Sequence, residues 1–187
     1  DLKDFGLDMK NILLITEPRT GSSSLMKSIA SAYGFDYQFE PDKKNKLIIK
    51  DNTVVKVIID ISRGQDYYLN LMKQFSKTIL LSRRNIIEQS EAFWALLYIN
   101  DGVYTEKWNE NKLPKNLKQR EDYKERYQSL VEKKLFLLEL SDKTSKKINY
   151  YEDVFKSKSL HEKDVKLDLE YFGPQYKLRV KEHTSLL

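Results

Sequence analysis

The sequence predicts an α/β fold, a parallel sheet flanked by helices on both faces in a single domain. Three observations predict it. Short apolar, β-branched runs alternate with stretches of helical periodicity. The first run ends in a turn with Pro18 and Gly21 that opens a helix. The 187 residues suit one domain that can bury a core without a disulfide or metal staple.

Residues 11–16 form a short apolar run bounded by Pro18 and Gly21, which reads as a buried parallel strand. Residues 22–33 carry Leu25, Met26, Ile29, Ala30 and Tyr33 at helical spacing. Serines at the start of that segment are expected to cap it, and Gly34 to stop it. Residues 35–39 and 53–59 are expected strands, 66–75 a helix, 77–82 a buried strand and 85–99 a helix. Residues 101–118 are polar, with Gly102 and Pro114, and read as a loop or lid. Residues 117–140 predict a long, charged amphipathic helix, and 147–151 a last strand. The tail, 157–187, is rich in lysine. Residues 1–8 read as a leader or an expression remnant. No internal repeat or low-complexity block divides the chain.

Composition narrows the functions. The chain has no cysteine, which excludes disulfides and thiolate metal sites and fits a reducing compartment. No apolar run approaches the roughly 18 residues needed to span a bilayer. The expectation is a soluble, cytoplasmic protein. The formal net charge is +5, which favours an anionic ligand. The lysines are interleaved with acids, as in residues 121–126, which argues against a nucleic-acid interface.

The turn after the first run carries the chemistry. A strand that ends in a tight loop and opens a helix makes an anion site, because the first helical N–H groups have no intrahelical partner. Gly21 permits close backbone approach, Thr20, Ser22, Ser23 and Ser24 bring hydroxyls, and Arg19 brings a permanent charge. The loop is not a Walker A motif, which needs glycine at Thr16 and lysine at Ser22.

The segment Pro18-Arg19-Thr20-Gly21-Ser22-Ser23 resembles the 5′-phosphosulfate-binding loop of the sulfotransferase family. The likeness is to short bacterial or phage members of that family. The resemblance implies a P-loop-like fold that binds 3′-phosphoadenosine 5′-phosphosulfate. It implies a catalytic role for Arg19, and a donor-binding role for Arg19, Thr20, Gly21, Ser22, Ser23 and Ser24. Residues 78–85 resemble the family's second block, in which a strand ends in an arginine that holds the donor's 3′-phosphate. Arg84 fits that arginine, with Asn85 and Gln89 in register, and Arg83 is the substitute. The family's serine position holds Ala92 here, and Ser90 is the nearest hydroxyl. Tyr151-Glu152-Asp153 resembles a structural segment of the family, and residues 176–181 its basic C-terminal stretch.

Transfer to a hydroxyl needs a base within reach of the acceptor. Glu40, at the end of the second expected strand, is the candidate, with Asp42 as the fallback. A glutamate at about this place serves as base in some family members. Glu17 is expected to pair with Arg19. Lys56 interrupts an apolar run, and reads either as a site lysine or as an edge-strand lysine facing water. Phe93 and Trp94 are expected in the core, Tyr98, Tyr104 and Trp108 near an acceptor, and His161 and His183 on the surface.

The leading expectation is sulfuryl transfer from 3′-phosphoadenosine 5′-phosphosulfate to a small-molecule or carbohydrate hydroxyl, with no metal. The competing expectations are a P-loop-type nucleotide or small-molecule kinase, and a non-catalytic nucleotide-binding module of the same fold.

Overall fold

The strands assemble into one five-stranded sheet, all parallel, in the order β2-β3-β1-β4-β5. The computed structural model describes residues 10–41, 47–98 and 113–154. In chain order the strands are β1 Asn11–Thr16, β2 Asp36–Phe39, β3 Thr53–Ile58, β4 Lys77–Ser82 and β5 Ile148–Tyr150. The helices are α1 Ser22–Tyr33, α2 Gly64–Met72, α3 Ile86–Tyr98, α4 Glu121–Thr144 and the single turn α5 Tyr151–Val154.

Position in the sheet explains composition. Central β1 is buried along its whole length, so it reads as an unbroken apolar run. Edge strand β2 is largely exposed, and its sequence, Asp-Tyr-Gln-Phe, alternates polar with aromatic. Successive side chains of β1 take opposite faces. Ile12 and Leu14 join Leu25, Met26, Ile29 and Ala30 of α1 and Val154 of α5. Leu13 and Ile15 join Tyr68 and Leu71 of α2 and Leu137 and Leu140 of α4. Helix α3 packs on α4 through Ile86, Tyr127, Leu130 and Val131.

Helix α1 stops where Gly34 turns left-handed (φ +68°), with its N–H on the Ala30 carbonyl. A Cβ at Gly34 would meet no atom within 4 Å, so conformation rather than space selects glycine.

The expected bounds of β1, α1 and β4 coincide with those observed. The long helix begins later than expected. Leu117–Gln119 forms a separate 3-10 turn, and α4 runs on to Thr144, where Ser145 closes it in the left-handed region. Residues 1–8, most of 101–118 and the stretch 157–187 lie outside the described residues. So do Asp42, Tyr104, Trp108, His161 and His183.

After β1 the chain runs out to edge strand β2, returns to β3 beside β1, then crosses to β4 and β5 on the other side. Beyond the carboxyl end of β1 the chain direction therefore switches, and open α/β sheets place ligands in such crevices. The loop 17–21 stands there.

Candidate functional site

The loop turns through two left-handed residues, Arg19 (φ +61°) and Gly21 (φ +73°). Gly21 adopts this freely, whereas Arg19 does so at a conformational cost that its surroundings must offset. Gly21 is the N-cap of α1, and its carbonyl accepts the first helical bond from Leu25 N–H at 3.1 Å. No side chain caps the helix, which corrects the expected serine cap. Ser22 and Ser24 are buried, and Ser23 is half-buried. Thr20 serves the turn itself. Its hydroxyl contacts that of Thr16 and donates to the Glu17 carbonyl at 3.2 Å.

The β3 flank of the loop carries Lys56 and Glu40. The alternation of β3 points Lys56 to the α1 side, where its ammonium lies 3.0 Å from Glu40 Oε1 and donates to Ser23 Oγ at 3.0 Å. It also sits 3.9 Å from the centre of the Phe39 ring. Lys56 is 3% exposed on an interior strand, which settles the sequence alternatives against an edge lysine facing water. Glu40, just past β2, has a left-handed backbone (φ +46°), and its N–H bonds the Lys56 carbonyl at 2.9 Å. The structure thus brings Glu40, Lys56 and Ser23 together at the first turn of α1.

The β4 flank is a sealed polar cluster. Glu17 does not pair with Arg19 as expected. Its carboxylate accepts from Ser82 Oγ at 2.8 Å and faces the Lys134 ammonium at 3.7 Å. Lys134, from α4, also donates to the Arg83 carbonyl at 2.5 Å and to Ser82 Oγ at 3.2 Å. Both charged groups are buried. Burial pushes the Glu17 carboxyl up, against the opposing pull of Lys134 and the Ser82 hydrogen bond. Burial likewise pushes the Lys134 ammonium down, against Glu17. Gln89, fully buried on α3, donates to the Pro18 carbonyl at 2.7 Å.

The two arginines after β4 part company. Buried Arg83 turns toward the loop, with Nη1 3.5 Å from the Arg19 carbonyl. It pairs with Glu88 at 2.6 Å and stacks on Tyr151. Arg84 forks onto both oxygens of Asp153 and lies over the Tyr150 ring. That carboxylate hydrogen bond holds its guanidinium pKa above the usual value. Glu152 accepts from the N–H groups of Arg84 and Asn85 at 3.0 and 2.9 Å, placing a carboxylate at the start of α3. The Tyr-Glu-Asp segment thus supports the second loop from below. Ser90 is buried, and its hydroxyl donates to the Ile86 carbonyl one turn back, at 2.7 Å. In this arrangement Ser90 faces its own helix, not the loop, and Ala92 is buried as well.

Trp94 is buried as expected, Phe93 packs partly buried beside the α3–α4 contact, and exposed Tyr98 stacks on Trp94. Among the described residues, no group of three or more His, Asp or Glu is placed to hold a metal ion, and no helix is long and apolar enough to cross a membrane.

Sequence reasoning missed Lys134. A signal was present: Tyr123, Tyr127, Leu130, Leu137 and Leu140 form the buried stripe of α4, and Lys134 stands in it where a leucine would fit. The chain matches no protein-family model and no curated protein.

Proposed function

We propose that the protein transfers a sulfuryl group from 3′-phosphoadenosine 5′-phosphosulfate to an acceptor hydroxyl. The observation that carries this reading is the loop: Arg19 and the uncapped start of α1 stand together at the carboxyl end of the central strand, where the chain direction switches. An uncapped helix start offers N–H donors and partial positive charge to an oxyanion.

In this reading, Arg19 and the first turn of α1 hold the 5′-phosphosulfate and stabilise charge on the leaving phosphate. Arg83 and Arg84 stand on the β4 side, where the donor's second phosphate would lie. Glu40 accepts the proton of the acceptor hydroxyl as its oxygen bonds to sulfur and the phosphate–sulfate bond breaks. Adenosine 3′,5′-bisphosphate leaves. Lys56 keeps the Glu40 carboxylate beside the loop at 3.0 Å, and binding positions the reactants in line.

The test is transfer of radiolabelled sulfuryl from labelled donor to a panel of phenolic, carbohydrate and small aliphatic alcohols. Label on any acceptor, lost in Arg19→Ala, supports the reading. Donor binding with no transfer to any class of hydroxyl would remove the enzymatic part of it.

A further inference from the structure

We propose that Glu17 and Lys134 are a positioning pair that holds the loop in its anion-binding shape while lowering the stability of the fold. The inference rests on the functional reading above, and it concerns residues that take no part in the transfer itself.

Four observations converge. First, the pair is poorly compensated for its depth. Both side chains are almost wholly buried, and Glu17 Oε2 lies 3.7 Å from the ammonium, too long for a hydrogen bond. Removing two charges from water is repaid only by excellent geometry, and apolar replacements of such pairs are often neutral or stabilising. Second, Lys134 occupies a position in the buried, otherwise apolar stripe of α4, so an apolar side chain suits its place on the helix. Third, the pair sits where the two loops meet. Glu17 opens the β1 loop, Lys134 grips the Arg83 carbonyl of the β4 loop, and Ser82 bridges them. Fourth, the loop needs holding. Arg19 is left-handed without being glycine, and its neighbours on the β4 flank contact the carbonyls before and after its Cα. Gln89 holds Pro18, and Arg83 reaches Arg19. A backbone in a sparsely populated region persists only where its surroundings over-determine it. Stability given up at a ligand loop is the usual mark of a residue kept for function.

The test sets stability against affinity. In Glu17→Leu/Lys134→Met both charges go together, so neither is left buried alone. The expected result is a melting temperature no lower than wild type, with adenosine 3′,5′-bisphosphate bound at least about tenfold more weakly. Amide exchange at residues 20–23 should also be faster. A purely structural pair would not separate these readouts. Retained melting temperature with affinity within twofold of wild type would overturn the proposal. If the double variant does not fold, Glu17→Gln keeps the shape and decides: unchanged affinity and unchanged exchange at 20–23 overturn the proposal, and weaker affinity supports it. If the wild type binds no bisphosphate, the functional reading fails, while the exchange comparison still decides whether the pair positions the loop.

Discussion

Two lysine–glutamate pairs flank the same loop, and they differ in what surrounds them. On the β4 flank, the Lys134 and Glu17 side chains are 2% and 0% exposed and stand 3.7 Å apart. On the β3 flank, the Lys56 and Glu40 side chains are 4% and 13% exposed and meet at 3.0 Å. The sealed pair joins backbone segments, through the Arg83 carbonyl and the Ser82 hydroxyl. The more open pair reaches a loop hydroxyl, and its Glu40 side chain is more exposed than that of Glu17. In the proposed reading, the same two residue types make a fixture in one place and a proton acceptor in the other. Depth decides which, because a buried charge is confined by the cost of desolvation, whereas a carboxylate with access to water exchanges protons and partners.

The largest effect should come from breaking the sealed pair on one side only. Lys134→Ala leaves the Glu17 carboxylate buried without its counter-charge, which costs about 3–5 kcal/mol of stability. Urea denaturation would measure it, and a loss below about 1 kcal/mol would show that water reaches Glu17. Next in size is Arg19→Ala. Truncating a cation that stabilises developing charge should slow transfer by about 100-fold or more, with the melting temperature nearly unchanged. Transfer near the wild-type rate would end the assignment of Arg19.

Lys56→Met should cost less than Lys134→Ala, about 1.5–3 kcal/mol, because Glu40 retains a route to solvent and the methionine stem keeps the apolar contacts. Equal losses for the two lysine variants, measured in the same denaturation series, would erase the distinction between the flanks. The smallest effect lies away from both pairs. Asp122, at the start of α4, accepts hydrogen bonds from Arg120, which hold its carboxyl down to about 2 from an ordinary 3.8. A folded-state pKa below the unfolded value adds stability that is present above about pH 4 and lost as pH falls through about 2. Carboxyl NMR should show Asp122 titrating near the low end of that window, and Arg120→Ala should return it toward 3.8.

Much of the fold was legible because burial on both faces leaves little ambiguity. β1 and β4 read as strands from unbroken apolar runs, and α1 from Leu25, Met26, Ile29 and Ala30 ahead of Gly34. The start of α4 was harder. Leu117 has the helical spacing, yet the chain makes a separate 3-10 turn there before Arg120, whose extended backbone (ψ 137°) ends it. At the site, the loop and the strand-end arginines were legible from residue types alone. Partners were not, since they depend on which elements the topology brings together. Glu17 looks like a neighbour for Arg19 along the chain, yet its carboxylate meets Ser82 of β4 and Lys134 of α4. Lys56 and Glu40 lie sixteen positions apart and meet because β2 and β3 pair in parallel register, Phe39 opposite Lys56. Ser90 stands at a helical step that suits the second loop, but its hydroxyl is used by its own helix, as buried helical serines often are.

In the proposed function, the loop holds a nucleotide with phosphates on both the 3′ and the 5′ carbon of its ribose, gripped by side chains and the helix start. Calorimetry of adenosine 3′,5′-bisphosphate in the presence of a chelator, beside ATP with and without Mg²⁺, is the deciding measurement. The expected result is metal-independent binding of the bisphosphate that is lost in Arg19→Ala. Mg²⁺-dependent binding of ATP, with no binding of the bisphosphate, would contradict it and favour a kinase.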